Sequence, residues 1–163
     1  MAIGKRDIVY MSEVVVTQMK ASLPAKLTAL NAEYADGIVL ENVEPGNYFI
    51  SEKEKVPAYP VMCVIGNSTE MPVDGQYRYG IEYHDITIAI ALVSRGASEE
   101  ELKRRTSRMA RAVEEVCLDN QTLSGSCADV VVTDKQFSQL LTQNGAHLQE
   151  GQINVRVMTT DHE

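Results

Sequence analysis

Apolar residues near the N-terminus recur at the spacing of an amphipathic helix. In residues 7 to about 34 they are Val9, Met11, Val15, Met19, Leu23, Leu27 and Leu30. This pattern predicts a long helix with one buried face. Pro24 lies inside it and removes a backbone donor, so we expect a kink there or two joined helices. Ser22 is a candidate N-cap for the second piece, with Pro24 in its first turn.

Two segments in the middle of the chain have the pattern of strands. Residues 61–66 are almost continuously apolar, which predicts a strand buried on both faces. Residues 82–93 alternate, so successive side chains point to opposite faces. One set is large and mostly apolar: His84, Ile86, Ile88, Ile90 and Leu92. The other set is smaller: Tyr83, Asp85, Thr87, Ala89 and Ala91. We expect the large set to pack against helices. The small set should form a face with little side-chain bulk, close to whatever lies beyond it.

A second helix of about twenty residues is predicted to begin after Ser98. Ser98 and Glu101 form a capping-box pattern, which is typical of a helix N-terminus. The apolar residues on one face are Leu102, Met109, Val113 and Val116. Arg104, Arg108 and Arg111 share the opposite face at positions i, i+4 and i+7.

The rest of the chain predicts two more strands, at residues 129–134 and 152–160. The polar residues 119–125 before them predict a turn, and the segment between the two strands predicts a short helix or extended pieces. The order is therefore helix, strand, strand, helix, strand, strand. We expect one α+β domain spanning residues 1–163, with a mostly antiparallel sheet and the helices on one face.

Composition narrows the classes of function. The 163 residues carry a net charge of −8 and 44% hydrophobic residues, which fits one globular domain. No apolar run is long enough for a membrane span, and no secretion signal is expected. The three cysteines form no C-x-x-C pair, which favours a reduced cytosolic compartment. Residues 31–85 hold ten acids and three bases, a balance of −7 that disfavours non-specific binding to nucleic acid.

The usual motifs of catalysis and cofactor binding are missing from the sequence. It contains neither of the glycine-rich phosphate-binding patterns nor a nucleophile elbow. Its three histidines lack the spacing of metal ligands. We therefore predict no catalytic residue, no cofactor and no metal. If the protein were an enzyme, His84 and Cys63 would be the candidate catalytic residues. Cys63 lies in the apolar stretch "VMCVI", where a buried thiol is usually unreactive.

Two groups of residues are candidates for a subunit or partner interface. The first is the arginine face of the second helix, namely Arg104, Arg108 and Arg111. This face fits solvent, an acidic protein partner or nucleic acid. The second is Tyr77, Arg78 and Tyr79 in "GQYRYG", a stretch too polar for a core strand. Because tyrosine is enriched at interfaces, we expect this stretch to project and to touch a neighbour.

The second half of the chain resembles a known family. The similarity lies in "YHDITIAIALVSRGASEEELKRRTSRMARAVEEVCLDNQTLSGS", followed by the alternating strand "GQINVRVM". In this order of strand, charged helix, turn and strand, the chain resembles the tail terminator and neck proteins of long-tailed bacteriophages. The first half, including "NYFISEKEKVPAYP", departs from the family pattern. The resemblance therefore leaves open a head–tail joining, neck or tail-completion role.

The resemblance implies a structural virion protein that is not an enzyme. Such proteins form a ring, commonly a hexamer, that caps the tail tube and joins it to the head. The implied partners are copies of the same chain, the tail tube protein and the neck or connector proteins. DNA passes through the lumen without specific binding, and the protein assembles in the host cytoplasm. A small intracellular α+β enzyme or ligand-binding domain that uses His84 or Cys63 is the alternative from a different class.

Overall fold

The computed structural model describes residues 7–52, 56, 58–71, 81–95, 98–143 and 145–160. These form two helices and six strands in an α+β fold, as predicted. The helices are α1 (Ile8–Tyr34) and α2 (Glu99–Asp119). The strands are β1 (Tyr48–Phe49), β2 (Val61–Glu70), β3 (Glu82–Arg95), β4 (Asp129–Phe137), β5 (Leu141–Gln143) and β6 (Ala146–Thr159).

The six strands form one sheet in the order β1-β2-β3-β6-β4, and β5 also pairs with β6. The short β1 runs parallel to β2, and all other pairs are antiparallel. At the centre, β3 and β6 pair along their whole length, from Glu82 opposite Thr159 to Arg95 opposite Ala146. The prediction of a mostly antiparallel sheet is therefore confirmed.

Both helices pack on the same face of the sheet and bury its large side chains. Ile86, Ile88 and Ile90 of β3 are at most 1% exposed, as expected for the large set. Ile153 of β6 pairs with Ile88 and is also fully buried. Met109 of α2 and its neighbours close the core from above. Burying each such side chain contributes roughly 1.5–3 kcal/mol, so this layer decides how the helices are oriented.

The first helix begins at the predicted position, but it is not broken at Pro24. Asp7 caps it by accepting a hydrogen bond of 2.9 Å from the Tyr10 backbone N–H. The helix continues through Pro24, so of the two expected outcomes, a kink or two joined helices, the second is wrong. Ser22 is therefore not an N-cap, and its hydroxyl accepts a hydrogen bond from Gln18 Nε2. A proline inside a helix costs about 3 kcal/mol, and buried packing on both sides of Pro24 offsets this cost.

The second helix and the turn after it agree with the sequence prediction. Ser98 caps α2, because its hydroxyl accepts a hydrogen bond from the Glu101 backbone N–H at 3.2 Å. After the helix, Leu123, Ser124 and Gly125 have φ angles of 47°, 58° and 87°. This left-handed turn places the Leu123 side chain in the core, where it is 2% exposed. The polar turn therefore fixes the end of α2 to the sheet.

The strands extend further than their sequence patterns predict. A bulge in β2 between Gly66 and Ser68 is followed by exposed residues that continue the strand to Glu70. Cys63 is only half-buried, so the prediction of burial on both faces is wrong there. The segment between the last two predicted strands is extended rather than helical, because β4 reaches Phe137 and β6 already begins at Ala146.

Candidate interaction surface on the open face of the sheet

On one face of the sheet no helix packs among the residues that the structure describes, and we call it the open face. Its centre is lined by small side chains of β3, Thr87, Ala89 and Ala91, as the alternation predicts. A groove of about 590 Å³ lies over them. The aliphatic and thiol side chains of its lining are Val56, Val61, Cys63, Ile65, Ala89, Ala91 and Leu148. The carboxylates of Glu52 and Glu150 also line it. The open face therefore combines apolar area with negative charge.

A row of hydrogen-bonded polar side chains crosses the open face. Asn67 Nδ2 donates to Thr87 Oγ1 at 2.7 Å, and Thr87 Oγ1 donates to Asn154 Oδ1 at 2.6 Å. Asn154 Nδ2 in turn donates to Asp134 Oδ1 at 2.5 Å. These residues lie on β2, β3, β6 and β4 in that order. The row joins four neighbouring strands and holds their side chains in one arrangement.

A second polar cluster is centred on Arg156 of β6. Its guanidinium donates to both oxygens of Asp85, at 2.9 and 3.2 Å, and to Glu70 at 3.2 Å. It also lies 5.5 Å from the centre of the Tyr83 ring. The hydrogen bonds from Arg156, with a smaller effect from Ser68, lower the pKa of Asp85. The hydrogen bonds of Arg156 therefore go to carboxylates on its own face of the sheet.

Among the described side chains of the open face, carboxylates outnumber bases. Six acidic residues project from it or line its groove: Glu52, Glu70, Asp85, Asp129, Asp134 and Glu150. Among the side chains that the structure describes there, Arg156 is the one base. A face with this balance repels polyanions and attracts cationic groups. Its charge comes from residues on four strands and a loop, which the linear acidic block of residues 31–85 only partly contains.

Two of the three predicted interface arginines are exposed on α2. The Arg104 side chain is 53% exposed and pairs with Glu100 at 2.8 Å. Arg111 is 45% exposed and contacts Glu115 and the Tyr34 hydroxyl, each at 3.2 Å. Exposed pairs of this kind are screened by solvent and contribute little to stability. Both arginines therefore remain accessible to a partner.

The expectation that Arg108 shares this exposed face is wrong. Arg108 is only 7% exposed. It donates to both carboxylate oxygens of Asp36, at 3.0 and 2.5 Å, and its guanidinium lies 3.8 Å from the centre of the Tyr34 ring. The hydrogen bond from Arg108 lowers the pKa of Asp36 to about 2. Arg108 therefore joins α2 to the end of α1 and is unsuited to a surface test.

The second predicted interface group, Tyr77, Arg78 and Tyr79, lies outside the residues that the structure describes. Two further tyrosines, Tyr59 and Tyr83, flank this segment in the sequence and border the open face. Tyr59 lines the groove and is half-buried. Tyr83 lies under the guanidinium of Arg156. Aromatic side chains with one wet edge are common at protein interfaces.

His84 and Cys63 lie on opposite faces of the sheet. His84 is completely buried on the helix side, where Nδ1 lies 2.9 Å from Thr69 Oγ1 and Nε2 lies 3.4 Å from Thr159 Oγ1. Cys63 lines the groove of the open face. The two side chains therefore share no pocket, and a reaction that uses both has no common site. The buried histidine instead contacts two threonine hydroxyls, one on the buried Thr159 and one on the exposed Thr69.

The other two cysteines have the properties of structural thiols. Burial raises the pKa of Cys117 to about 12 and that of Cys127 to about 11. A thiol with such a pKa carries almost no thiolate at neutral pH and is a poor nucleophile. Within the described ranges, no group of three or more His, Cys, Asp or Glu residues is arranged to hold a metal ion. The helices of the described part also include none that is long and apolar enough to cross a membrane.

Comparisons with known proteins add little to this geometry. No family model and no curated protein matches the chain. Among the proteins of known structure that match, one covers 90% of this chain and 97% of its own length, with 14% sequence identity and a TM-score of 0.40. Similarity at this level carries no argument about fold or function.

Sequence reasoning missed the polar row and the Arg156 cluster. The alternation of Asn154 and Arg156 with apolar residues placed both side chains away from the core. Their partners on β3 and β4 depend on strand order and register. Alternation within one strand does not give the order of the strands. The register could not be counted from the sequence either, because a bulge lies in each of β2 and β4. Strand order and register are also what places the acidic residues together on one face.

Proposed function

We propose that this chain is a structural virion protein, a phage tail terminator that forms a ring on the end of the tail tube and joins it to the head. The observation that carries the proposal is the open face, a broad sheet surface with an apolar groove and an excess of carboxylates. A chain that works through its surfaces needs such an area.

The charge of the open face supports the part of the proposal that concerns DNA. A ring on the tail tube has to let a polyanion pass without holding it. Binding to DNA depends on bases that displace counterions from phosphates. Six carboxylates against one described arginine give the opposite balance on this face. The open face is therefore suited to line the passage.

The helix side of the molecule offers the contrasting surface. Arg104 and Arg111 remain exposed on α2 and suit a partner that presents carboxylates. We assign this contact to the tail tube or the neck proteins. Because Arg108 holds the fold together, the charge reversals that test the contact are Arg104→Glu and Arg111→Glu. Lys20→Glu on α1 gives a control at another exposed base.

The experiment combines assembly with a tail-tube assay. The purified protein is studied by native mass spectrometry and class-averaged electron micrographs, alone and with growing tail tubes. A terminator gives a ring, binds one end of the tube and stops its growth, and the double arginine variant binds that end more weakly than Lys20→Glu. A ring that binds the head connector and leaves tube growth unchanged indicates a neck or joining role. A chain that stays monomeric with and without tubes contradicts the proposal.

A further inference from the structure

The sheet has two edges on which no described strand pairs with the backbone groups. At one end, β1 covers β2 only at Met62 and Cys63. Among the residues that the structure describes, no strand pairs with the outer side of residues 64–70. At the other end, β4 closes the strand order, and no described strand lies beyond it. Open edges are templates for pairing with another chain, and proteins usually protect them.

The two edges have opposite strand directions. The path from β2 through β3 and β6 to β4 takes three antiparallel steps. The two outer strands therefore run antiparallel to each other. When two copies lie side by side in the same orientation, the β4 edge of one meets the β2 edge of the next as an antiparallel pair. This is the geometry that a continuing antiparallel sheet requires.

The two edges also lie at the same level of the sheet. Ser68, Asp85, Arg156 and Val131 are consecutive partners across β2, β3, β6 and β4. The first half of β4, residues 129–132, therefore lies at the level of residues 66–70 of β2, whose outer side no described strand pairs. Beyond Val132, β4 has a bulge and then charged residues, which are devices that block edge pairing. The first half of β4 has no bulge, and Asp129 is its one charged residue.

Exposed hydrophobic side chains concentrate at these edges. Nine large hydrophobic residues of the described chain are exposed. Six of them flank the two edges: Val9, Ile50 and Met71 near β2, and Val131, Phe137 and Leu141 on β4 and β5. An apolar cleft of about 300 Å³, lined in part by Ile8, Val9, Ile50 and Ile65, opens beside β2. Clustered exposed apolar residues mark interaction sites.

We infer that the first half of β4 of one copy pairs antiparallel with residues 66–70 of β2 of the next copy, so that the sheet continues from subunit to subunit. The inference rests on the proposed self-association and specifies its contact. The occupant of each edge is a second copy, because the two edges match in direction and in level. Such a contact is head-to-tail, and it closes into a ring when the rotation between copies allows.

Cysteine cross-linking tests the contact directly. Val131→Cys and Ser68→Cys are purified separately, mixed during assembly, oxidised and run on a non-reducing gel beside the wild type. The inference predicts a covalent dimer in the mixture, a ladder in the double variant and neither with one variant alone. Asn67→Cys and Glu70→Cys repeat the test at neighbouring registers. Leu118→Cys on α2, 52% exposed against 51% for Val131, is the matched control and should not cross-link to Ser68→Cys.

A charge substitution at the same position tests whether the edge is needed. Val131→Arg should reduce the assembled fraction at least tenfold by analytical ultracentrifugation, whereas Leu118→Arg should leave it unchanged. Both positions are exposed, so both variants should keep the wild-type urea midpoint.

The outcomes separate the edge contact from the proposed function. A ring that forms normally with Val131→Arg and gives no cross-link at any of the three registers overturns the edge contact and leaves the proposed function standing. Dimers from Val131→Cys alone also overturn it, because they show β4 pairing with β4. If the wild type assembles only in the presence of tail tubes, the same variants are mixed and oxidised on the tubes. A wild type that never assembles, even on tubes, overturns both.

Discussion

Arg108 shows how the setting of one residue decides its role. Its guanidinium is enclosed by α2, the Tyr34 ring and the carboxylate of Asp36, and both oxygens of that carboxylate accept from it. Arg104, one turn earlier on the same helix, lies mostly in solvent. Asp36 is 72 positions away in the sequence. Helical spacing placed the three arginines on one side, but it could not show which of them another element covers.

The Asp36–Arg108 pair predicts a loss of stability in acid. Because the folded pKa of Asp36 is about 2 and the unfolded value is about 3.9, folding favours the ionised carboxylate. The pair's contribution is complete above the unfolded pKa and is lost as pH falls through the folded pKa. Urea midpoints measured from pH 6 to pH 2 should therefore fall less steeply for Asp36→Asn than for the wild type. Glu100→Gln, which breaks an exposed pair, should keep the wild-type slope, and equal slopes for all three proteins would contradict the assignment.

At the scale of elements, the contact between α1 and β2 depends on Gly66. A Cβ atom built on Gly66 would lie 2.6 Å from Ile8 Cγ1 and 2.9 Å from Ile8 Cδ1. The side chain at the start of α1 thus rests directly on the backbone of β2, beside the bulge. The sequence predicted α1 from its helical periodicity and the first part of β2 from its continuous apolar run. It could not predict this contact, because Gly66 followed by Asn67 and Ser68 is a turn signal, so the predicted strand ended at Gly66. Nothing local in the sequence shows which side chain packs on that backbone.

Gly66→Ala should destabilise the fold by about 1–3 kcal/mol, because the new methyl group displaces Ile8 from its packing. Gly46→Ala is the control, since nothing lies within 4 Å of a Cβ built there, and it should change the free energy of unfolding by less than about 0.5 kcal/mol. Urea denaturation measures both. Adding Ile8→Ala should recover part of the loss, and a strictly additive double variant would show that the clash is elsewhere.

At the scale of the whole molecule, the sequence predicted the fold class but not the surface. Binary patterning was enough for two helices and the main strands, because burial on one face imposes the periodicity directly. The excess of carboxylates on the open face needed the strand order β1-β2-β3-β6-β4, which brings together residues as distant as Glu70 and Arg156. Non-local pairing leaves no periodic trace in a single sequence.

The charge of the open face predicts a specific response to DNA. A variant with Glu52→Lys, Glu70→Lys and Glu150→Lys should bind duplex DNA with an affinity that falls steeply as salt rises, because each lysine near a phosphate releases counterions. A control with Glu13→Lys, Glu33→Lys and Glu41→Lys has the same net charge, with the changes at exposed positions outside the sheet. Titration by fluorescence anisotropy at several salt concentrations should show binding for the first variant well above that of the control. Equal binding would mean that net charge alone matters.

The hydrogen-bonded row from Asn67 to Asp134 has a consequence for any closed assembly. It runs perpendicular to the strands and ends near both sheet edges. If copies join edge to edge with their helices outside, each row lies along the circumference, and successive rows line up as a hoop of amides and carboxylates. Such a ring of amides and carboxylates would line the channel at one fixed height with hydrated, neutral or negative groups. A duplex that slides past it would meet no base in the row that binds phosphate.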